Sequence, residues 1–274
     1  MIKQTIKRII SKEKTYTLDA QKRVLQKNVK KHVFLICAPK SGSTWLTNIL
    51  KRILKWKIVK LLPAFEHREQ EIDLAPLSES NAKGKIFSPH QHLRYSHHTE
   101  NIINILDSYV ILQLRNIFDT IISYKDHLDK ESVKVPAAFM NDENWKLLND
   151  EQKLAFVVDL VVPWYFNFYC GWMTSNLHKE GRIKIITYSD MKKDAFTTVK
   201  SILEYIKEPF SDQEIHNAME KVAKKNTRKN KGVSGRGNQL SDELKKRVIS
   251  YTKYYPSIDF DLFGITQQEI ERYS

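Results

Sequence analysis

Ligand-binding and reactive side chains concentrate first in one turn, Ala38-Pro39-Lys40-Ser41-Gly42-Ser43-Thr44-Trp45. A β-like run ends just before it, and a helical pattern begins inside it. A strand-to-helix turn leaves the first helix amides without partners, and these, with the helix dipole, favour an anion. Ser41, Ser43 and Thr44 add hydroxyls, Lys40 adds a full charge, and Gly42 lets the backbone approach a ligand closely. The same residues would also suit an ordinary turn with Ser or Thr as the helix cap. The turn is not a Walker A loop. That pattern, G-x-x-x-x-G-K-[ST], places its lysine after the second glycine, whereas Lys40 precedes Gly42. The departure weakens an ATPase or GTPase reading.

Three further groups join it. Arg115-Asn116-Ile117-Phe118-Asp119 is followed by Ser123 eight positions beyond the arginine. Arg115 at a strand end can fork onto a phosphate while Ser123 donates from the next helix; taken alone, such a segment also suits a surface ion-pair cluster. Ser88-Pro89-His90-Gln91-His92-Leu93 offers two imidazoles, and histidine suits proton transfer near neutral pH. Two histidines without a third ligand are a poor metal site. Finally, Arg228-Lys229-Asn230-Lys231-Gly232-Val233-Ser234-Gly235-Arg236-Gly237 is a basic, glycine-containing tail that suits either an anion-binding loop or a nucleic-acid-binding arm.

The elements that would position these groups are legible as alternating patterns. His32–Ala38, Lys85–Ser88, Tyr109–Leu114 and Arg182–Thr187 read as short buried strands. Helical patterns follow over Thr44–Lys55, over Phe118–Leu128 and from the fourth strand to Lys207, and another resumes at Ser241. Such alternation predicts an α/β fold: a single domain with a P-loop-like central parallel sheet flanked by helices on both faces. Ligands of these sheets bind beyond the carboxyl ends of the strands, where Lys40, His92, Arg115 and Tyr188 all fall. Residues 1–31 read as a basic N-terminal extension and 32–274 as the domain. Lys130–Asp150 lacks periodicity and reads as a surface loop or lid.

Composition sets outer limits. The 274 residues are 41% hydrophobic, too apolar for a mainly disordered chain, and the net charge of +13 predicts an anionic partner without choosing one. Two cysteines, Cys37 and Cys170, exclude a disulfide scaffold. Leu154–Trp172 has the length of a membrane span, but Asp159, Pro163 and Asn167 interrupt it, so it reads as a buried or pocket-lining helix. The start of the chain lacks a secretory h-region, and a cytoplasmic protein with no stable membrane insertion is expected.

The order Pro39-Lys40-Ser41-Gly42-Ser43-Thr44-Trp45 resembles the 5′-phosphosulfate loop, P-K-S-G-T-T-W, of sulfotransferases that use 3′-phosphoadenosine 5′-phosphosulfate (PAPS), with Ser43 in place of Thr. Arg115-Asn116-Ile117-Phe118-Asp119 with Ser123 resembles that family's R-N-P-x-D…S signature, with Ile117 in place of Pro. Tyr188-Ser189-Asp190-Met191 looks like its Y-E-D-M segment, and the tail resembles its R-K-G-x-x-G-x-W loop, with Gly237 where Trp is usual. The resemblance implies that Ser41, Gly42, Ser43 and Thr44 hold the 5′-phosphate and that Arg115 and Ser123 hold the 3′-phosphate. Tyr188 and Trp45 would contact the adenine. Arg228, Lys229, Lys231 and Gly232 would close over the 3′-phosphate, in one of two registers. Lys40 would polarise the bridging oxygen, and His92, with His90 in reserve, would be the base. No metal is implied. The donor would be PAPS and the product adenosine 3′,5′-bisphosphate (PAP), with a hydroxyl of a small-molecule, lipid or glycan acceptor, less readily an amine, receiving the sulfuryl group. Trp164–Trp172, Lys130–Asp150 and Lys57–Lys83 would build the acceptor pocket. A P-loop nucleotide kinase and a non-enzymatic basic nucleic-acid-binding protein are the competing classes; neither nucleic acid nor any oligomeric state is implied by the resemblance.

Overall fold

A computed structural model describes residues 28–62, 71–73, 76–77, 83–135, 137–224 and 235–273, without the side chain of His90. In chain order the elements that matter here are β1 (Val29–Cys37), α1 (Ser43–Leu54), β2 (Lys57–Ile58), β3 (Gly84–Gln91), α2 (His97–Ile105), β4 (Tyr109–Leu114) and α3 (Ile117–Lys130). There follow α4 (Asp142–Leu147), a long helix α5 (Asp150–Thr174), β5 (Ile183–Thr187), α6 (Tyr188–Lys193), α7 (Ala195–Tyr205), α8 (Asp212–Lys224) and α9 (Asp242–Ser250). The sheet order is β2-β3-β1-β4-β5, and every neighbouring pair is parallel. The four strands expected from sequence are present. The two-residue edge strand β2 and the short helix α4, inside the expected lid, carry too little pattern to be read.

Strand period explains the layering. Successive side chains of β1 point to opposite faces, so Val33 and Leu35 join one core while Phe34 and Ile36 join the other. The first core packs Leu46, Ile49 and Leu50 of α1 with Val199 and Ile202 of α7 and Ile215 of α8. The second packs Ile121 and Ile122 of α3, Phe166 and Phe168 of α5 and Val248 of α9. Each fully buried aliphatic chain contributes about 1.5–3 kcal/mol relative to exposure. Because all the strands are parallel, their carboxyl ends open on one edge, and α1, α3 and α6 all start there.

The 25-residue helix α5 is long and apolar enough to cross a membrane by length and composition. Its Val157, Val158, Val161, Tyr165, Phe168 and Trp172 are instead buried in the domain core. Pro163 has no amide to donate, and the helix widens to a π turn over Val157–Val161 just before it. Asp159, the charge inside the apolar run, pairs with Arg247 of α9.

One buried histidine ties β1 to β3 and to the residue that leads into β4. His32 on β1 lies 2.7 Å from Ser108 Oγ through Nδ1 and 2.9 Å from Ser88 Oγ through Nε2. Burial pushes its imidazole down to about 3, so it stays neutral in the fold. An unfolded histidine takes up a proton near its ordinary value of about 6.5. The unfolded chain therefore binds one more proton between the two values, and stability falls as pH drops through that window by about 1.4 kcal/mol per unit. Denaturant titrations at about pH 6, 5 and 4 should show this slope, and His32→Asn should flatten it. Equal slopes in both proteins would remove His32 as an acid-sensitive group.

Candidate active site

The turn between β1 and α1 is built for close approach. Lys40 and Gly42 both have left-handed backbones, with φ of 63° and 85°. Gly42 is the N-cap residue of α1 and no side chain caps the helix, so Ser43 and Thr44 do not serve as ordinary caps. A Cβ on Gly42 would fall 2.8 Å from Cδ2 of Tyr188, so only glycine fits between the turn and that ring. Ser41 is fully buried, and its hydroxyl donates to the Ala38 carbonyl at 2.7 Å, closing the turn from within. Gln113 on β4 donates to the Ser41 carbonyl at 2.7 Å, and Tyr165 of α5 donates to the Pro39 carbonyl at 2.8 Å. Thr44 is exposed, Ser43 is buried, and Trp45 packs against the α1-side core.

Arg115 stands at the end of β4, beside β1 in the sheet. Its Nη1 donates to the Lys40 carbonyl at 2.9 Å, and its guanidinium lies 4.3 Å from the centre of the Tyr188 ring. Burial lowers its pKa, and Tyr188 and Asp119 oppose that shift while Arg236 adds to it. A guanidinium remains charged through any such shift. Ser123 is buried one helical turn beyond Asp119 on the same face of α3. Asp119 clamps the end of the tail: its two oxygens accept from the amides of Gly235 at 3.0 Å and Gly237 at 2.9 Å. Arg236 between them pairs with Asp126 at 2.8 Å. A Cβ at Gly237 would sit 2.5 Å from Cβ of Phe118, so nothing larger than glycine fits where the resemblance expects tryptophan. Arg228, Lys229, Lys231 and Gly232 lie outside the described residues.

His92 follows β3 and is buried. Its Nδ1 donates to the Cys37 carbonyl at 2.8 Å, which fixes the tautomer and leaves the Nε2 lone pair as the basic site. The neighbouring Cys37 thiol is pushed up to about 12, chiefly by burial, and so stays protonated beside the imidazole. The His90 side chain lies outside the described residues. Lys40 Nζ lies 3.7 Å from Glu131 Oε1, at the end of α3. The aromatic residues Trp164–Trp172, expected to line a pocket, are packed into the core; Trp172 Nε1 donates to the Leu93 carbonyl at 2.9 Å, just beyond His92. They brace the site from behind. Most of Lys57–Lys83 is outside the described residues. Among the described residues no group of three His, Cys, Asp or Glu is placed to hold a metal ion.

The structure thus brings Lys40, Gly42, Arg115 and Tyr188 into one contact set, with His92 tied to the last residue of the same central strand. Sequence reasoning passed over Gln113, although a lone amide inside the apolar run Tyr109–Leu114 was a usable signal. It also assigned no task to Asp119 or Arg236, and it gave Tyr165 and Glu131 only as members of acceptor-pocket segments; their contacts arise from tertiary structure.

The sulfotransferase domain profile matches residues 30–262 of the chain. A flavonol 4′-sulfotransferase of Flaveria chlorifolia is 29% identical over 202 residues, covering 70% of this chain and 60% of that enzyme. An amine sulfotransferase of Oryctolagus cuniculus is 25% identical over 225 residues, covering 78% of this chain and 68% of that enzyme. Among solved structures, the mouse sulfotransferase SULT7A1 complexed with PAP superposes with a TM-score of 0.61 at 19% identity, covering 91% and 92% of the two chains. At that identity the likeness is one of fold.

Two of the positive-φ glycines allow a controlled test of how tightly the turn is packed. Gly84 has φ of 82° and open space around its Cα, whereas Gly42 has φ of 85° and faces Tyr188. Gly84→Ala should cost about 1–2 kcal/mol from backbone strain alone. Gly42→Ala should cost about 1–2 kcal/mol more, because Tyr188 must leave the guanidinium of Arg115. Denaturant melts of the two variants check this; equal losses would mean that the turn has room to spare.

Proposed function

The chain belongs to the sulfotransferase domain family, and from that membership we propose that it moves a sulfuryl group from PAPS to a hydroxyl of a small organic acceptor. The observation that supports this reading is the hydrogen bond from Arg115 to the Lys40 carbonyl, which brings the cation after β4 up to the turn between β1 and α1. The first amides of α1 and the hydroxyls of Ser43 and Thr44 suit a 5′-phosphate. The guanidinium of Arg115, Ser123 and the loop held by Asp119 suit a 3′-phosphate. Gly42 leaves no room for a Cβ against the Tyr188 ring, which keeps that ring close beside the turn. Tyr188, already stacked on Arg115, and Trp45 flank the place for a base.

PAPS supplies a sulfuryl group on a good leaving phosphate. The Lys40 ammonium neutralises charge developing on the bridging oxygen as the sulfur–oxygen bond breaks. Nε2 of His92 takes the acceptor's proton as the new oxygen–sulfur bond forms, and the Cys37 carbonyl holds the resulting imidazolium through Nδ1. PAP then leaves. The relatives' names include flavonol and amine acceptors, and phenols, alcohols and amines form the set to screen, with lipids and glycans after them. Both cysteines are free and buried, which suits a reducing cytoplasm. The nucleotide-kinase and nucleic-acid readings find no support in the family match.

Incubation with ³⁵S-labelled PAPS and a panel of phenols, alcohols and amines should transfer label to at least one acceptor without added Mg²⁺. Label that stays on the donor with every acceptor, together with tight ATP–Mg²⁺ binding, would overturn the proposal. Arg115→Ala should weaken PAP by about 10- to 100-fold, the loss of a charge-assisted contact, and adenosine 5′-phosphate far less; equal losses in calorimetry would take the 3′-phosphate away from Arg115. His92→Asn should lower turnover by about 10²-fold or more while PAP affinity stays close to wild type. A fully active variant would assign the base elsewhere, with His90 the first position to test.

A further inference from the structure

Gln113 is polar where the pattern of β4 asks for an apolar side chain. Tyr109 and Ile111, which alternate with it on one face of the strand, pack into the α1-side core, and Gln113 is fully buried beside them. The Met191 sulfur lies 3.7 Å from its Nε2. Its Oε1 is buried and has no hydrogen-bond partner among the described residues. An unpaired buried acceptor destabilises a fold, and a methionine or leucine at this position would avoid it. The amide must therefore be accounted for by its nitrogen. That nitrogen donates to the Ser41 carbonyl at 2.7 Å. The Gln113 backbone holds the same strand end, since its carbonyl accepts from the Ala38 amide at 3.3 Å and the residue is paired with Cys37.

The Ser41 carbonyl and the Gly42 amide belong to one trans peptide and point in opposite directions. Drawing the carbonyl in toward β4 turns the Gly42 N–H away from it, and that N–H has no partner among the described residues. The Ser41 amide, by contrast, is used inside the turn, on the Ala38 carbonyl at 3.3 Å. Gly42 has φ of 85°, and a glycine tolerates more than one setting of the peptide before it, so this amide needs an external hold. We propose that Gln113 is a positioning residue for the sulfuryl donor: it fixes the peptide between Ser41 and Gly42 so that the Gly42 amide meets the 5′-phosphate of the nucleotide. This inference rests on the sulfotransferase reading above. Gln113 itself touches neither nucleotide nor acceptor. Its influence ends at the turn, whereas the 3′-phosphate is assigned to Arg115 and Ser123, so its loss is felt at one end of the nucleotide only.

The test is calorimetry of wild type and Gln113→Met with two nucleotides, PAP and adenosine 3′-phosphate, which lacks the 5′-phosphate. Gln113→Met should weaken PAP by about tenfold or more, the loss of a well-aimed amide–phosphate contact, and leave adenosine 3′-phosphate binding as in wild type. This selectivity is the reverse of that expected for Arg115→Ala. The melting temperature should stay within about 4 °C of wild type, because the substitution exchanges one unpaired buried acceptor, Gln113 Oε1, for another, the Ser41 carbonyl. Gln113→Leu repeats the measurement if the methionine variant does not fold. Equal losses for the two nucleotides, or wild-type PAP affinity in a folded variant, would overturn the inference and leave the sulfotransferase reading standing. A collapse of folding in both variants would make Gln113 a structural residue and would overturn it too. Failure of the wild type itself to bind PAP would overturn both the inference and the reading.

Discussion

A guanidinium reaching across two neighbouring parallel strands fixes the geometry of this protein. Arg115 at the end of β4 donates to the carbonyl of Lys40 just past β1. The contact can form because β1 and β4 are paired in parallel register, from Val33 with Tyr109 to Cys37 with Gln113, so that both chains leave the sheet at one level. The same contact holds Lys40 in a left-handed conformation and brings its neighbour Gly42 under Tyr188. The cation after β4 and the aromatic ring after β5 thereby meet at the turn before α1. An antiparallel neighbour would have sent its end to the opposite edge of the sheet.

Around this join the polar groups are used twice, once for structure and once for chemistry. Backbone carbonyls at the end of β1 accept from Gln113, Tyr165, Arg115 and His92, which stiffens the turn without occupying its outward-facing amides. Asp119 accepts two loop amides and thereby holds the end of the basic tail against α3. Burial has opposite uses in neighbouring groups. It keeps the Cys37 thiol protonated and inert, whereas the neighbouring His92 has its Nδ1 engaged and its Nε2 left as the basic nitrogen.

The centre of the sheet was legible because β1 and β4 are buried on both faces over most of their length and read as largely apolar runs; Tyr109–Leu114 agrees with β4 at both ends. The turn stood out because the seven consecutive residues Pro39–Trp45 match a family loop at all but one position, whereas its lysine, glycine and hydroxyls alone also suit an ordinary capped turn. Contacts between distant segments left no such trace. Nothing in the spacing of Asp119 and Gly237 announces that the one clamps the other, since the pairing depends on the tail lying against α3. The aromatic stretch Trp164–Trp172 read as either buried or pocket-lining, and the structure buries it, because composition cannot distinguish a ring that faces a ligand from one that faces the core. Glu131 gave no signal at all, because an exposed carboxylate at a helix end is ordinary until a lysine from another turn is found beside it.

One nucleotide bridging both anion sites is the claim on which the functional account stands, and a crystal structure of the protein with PAP tests it most directly. The account predicts the 5′-phosphate on the first amides of α1, the 3′-phosphate on the Arg115 guanidinium, and the adenine between Trp45 and Tyr188. A PAP molecule held at only one of these ends, or bound elsewhere on the protein, would contradict it.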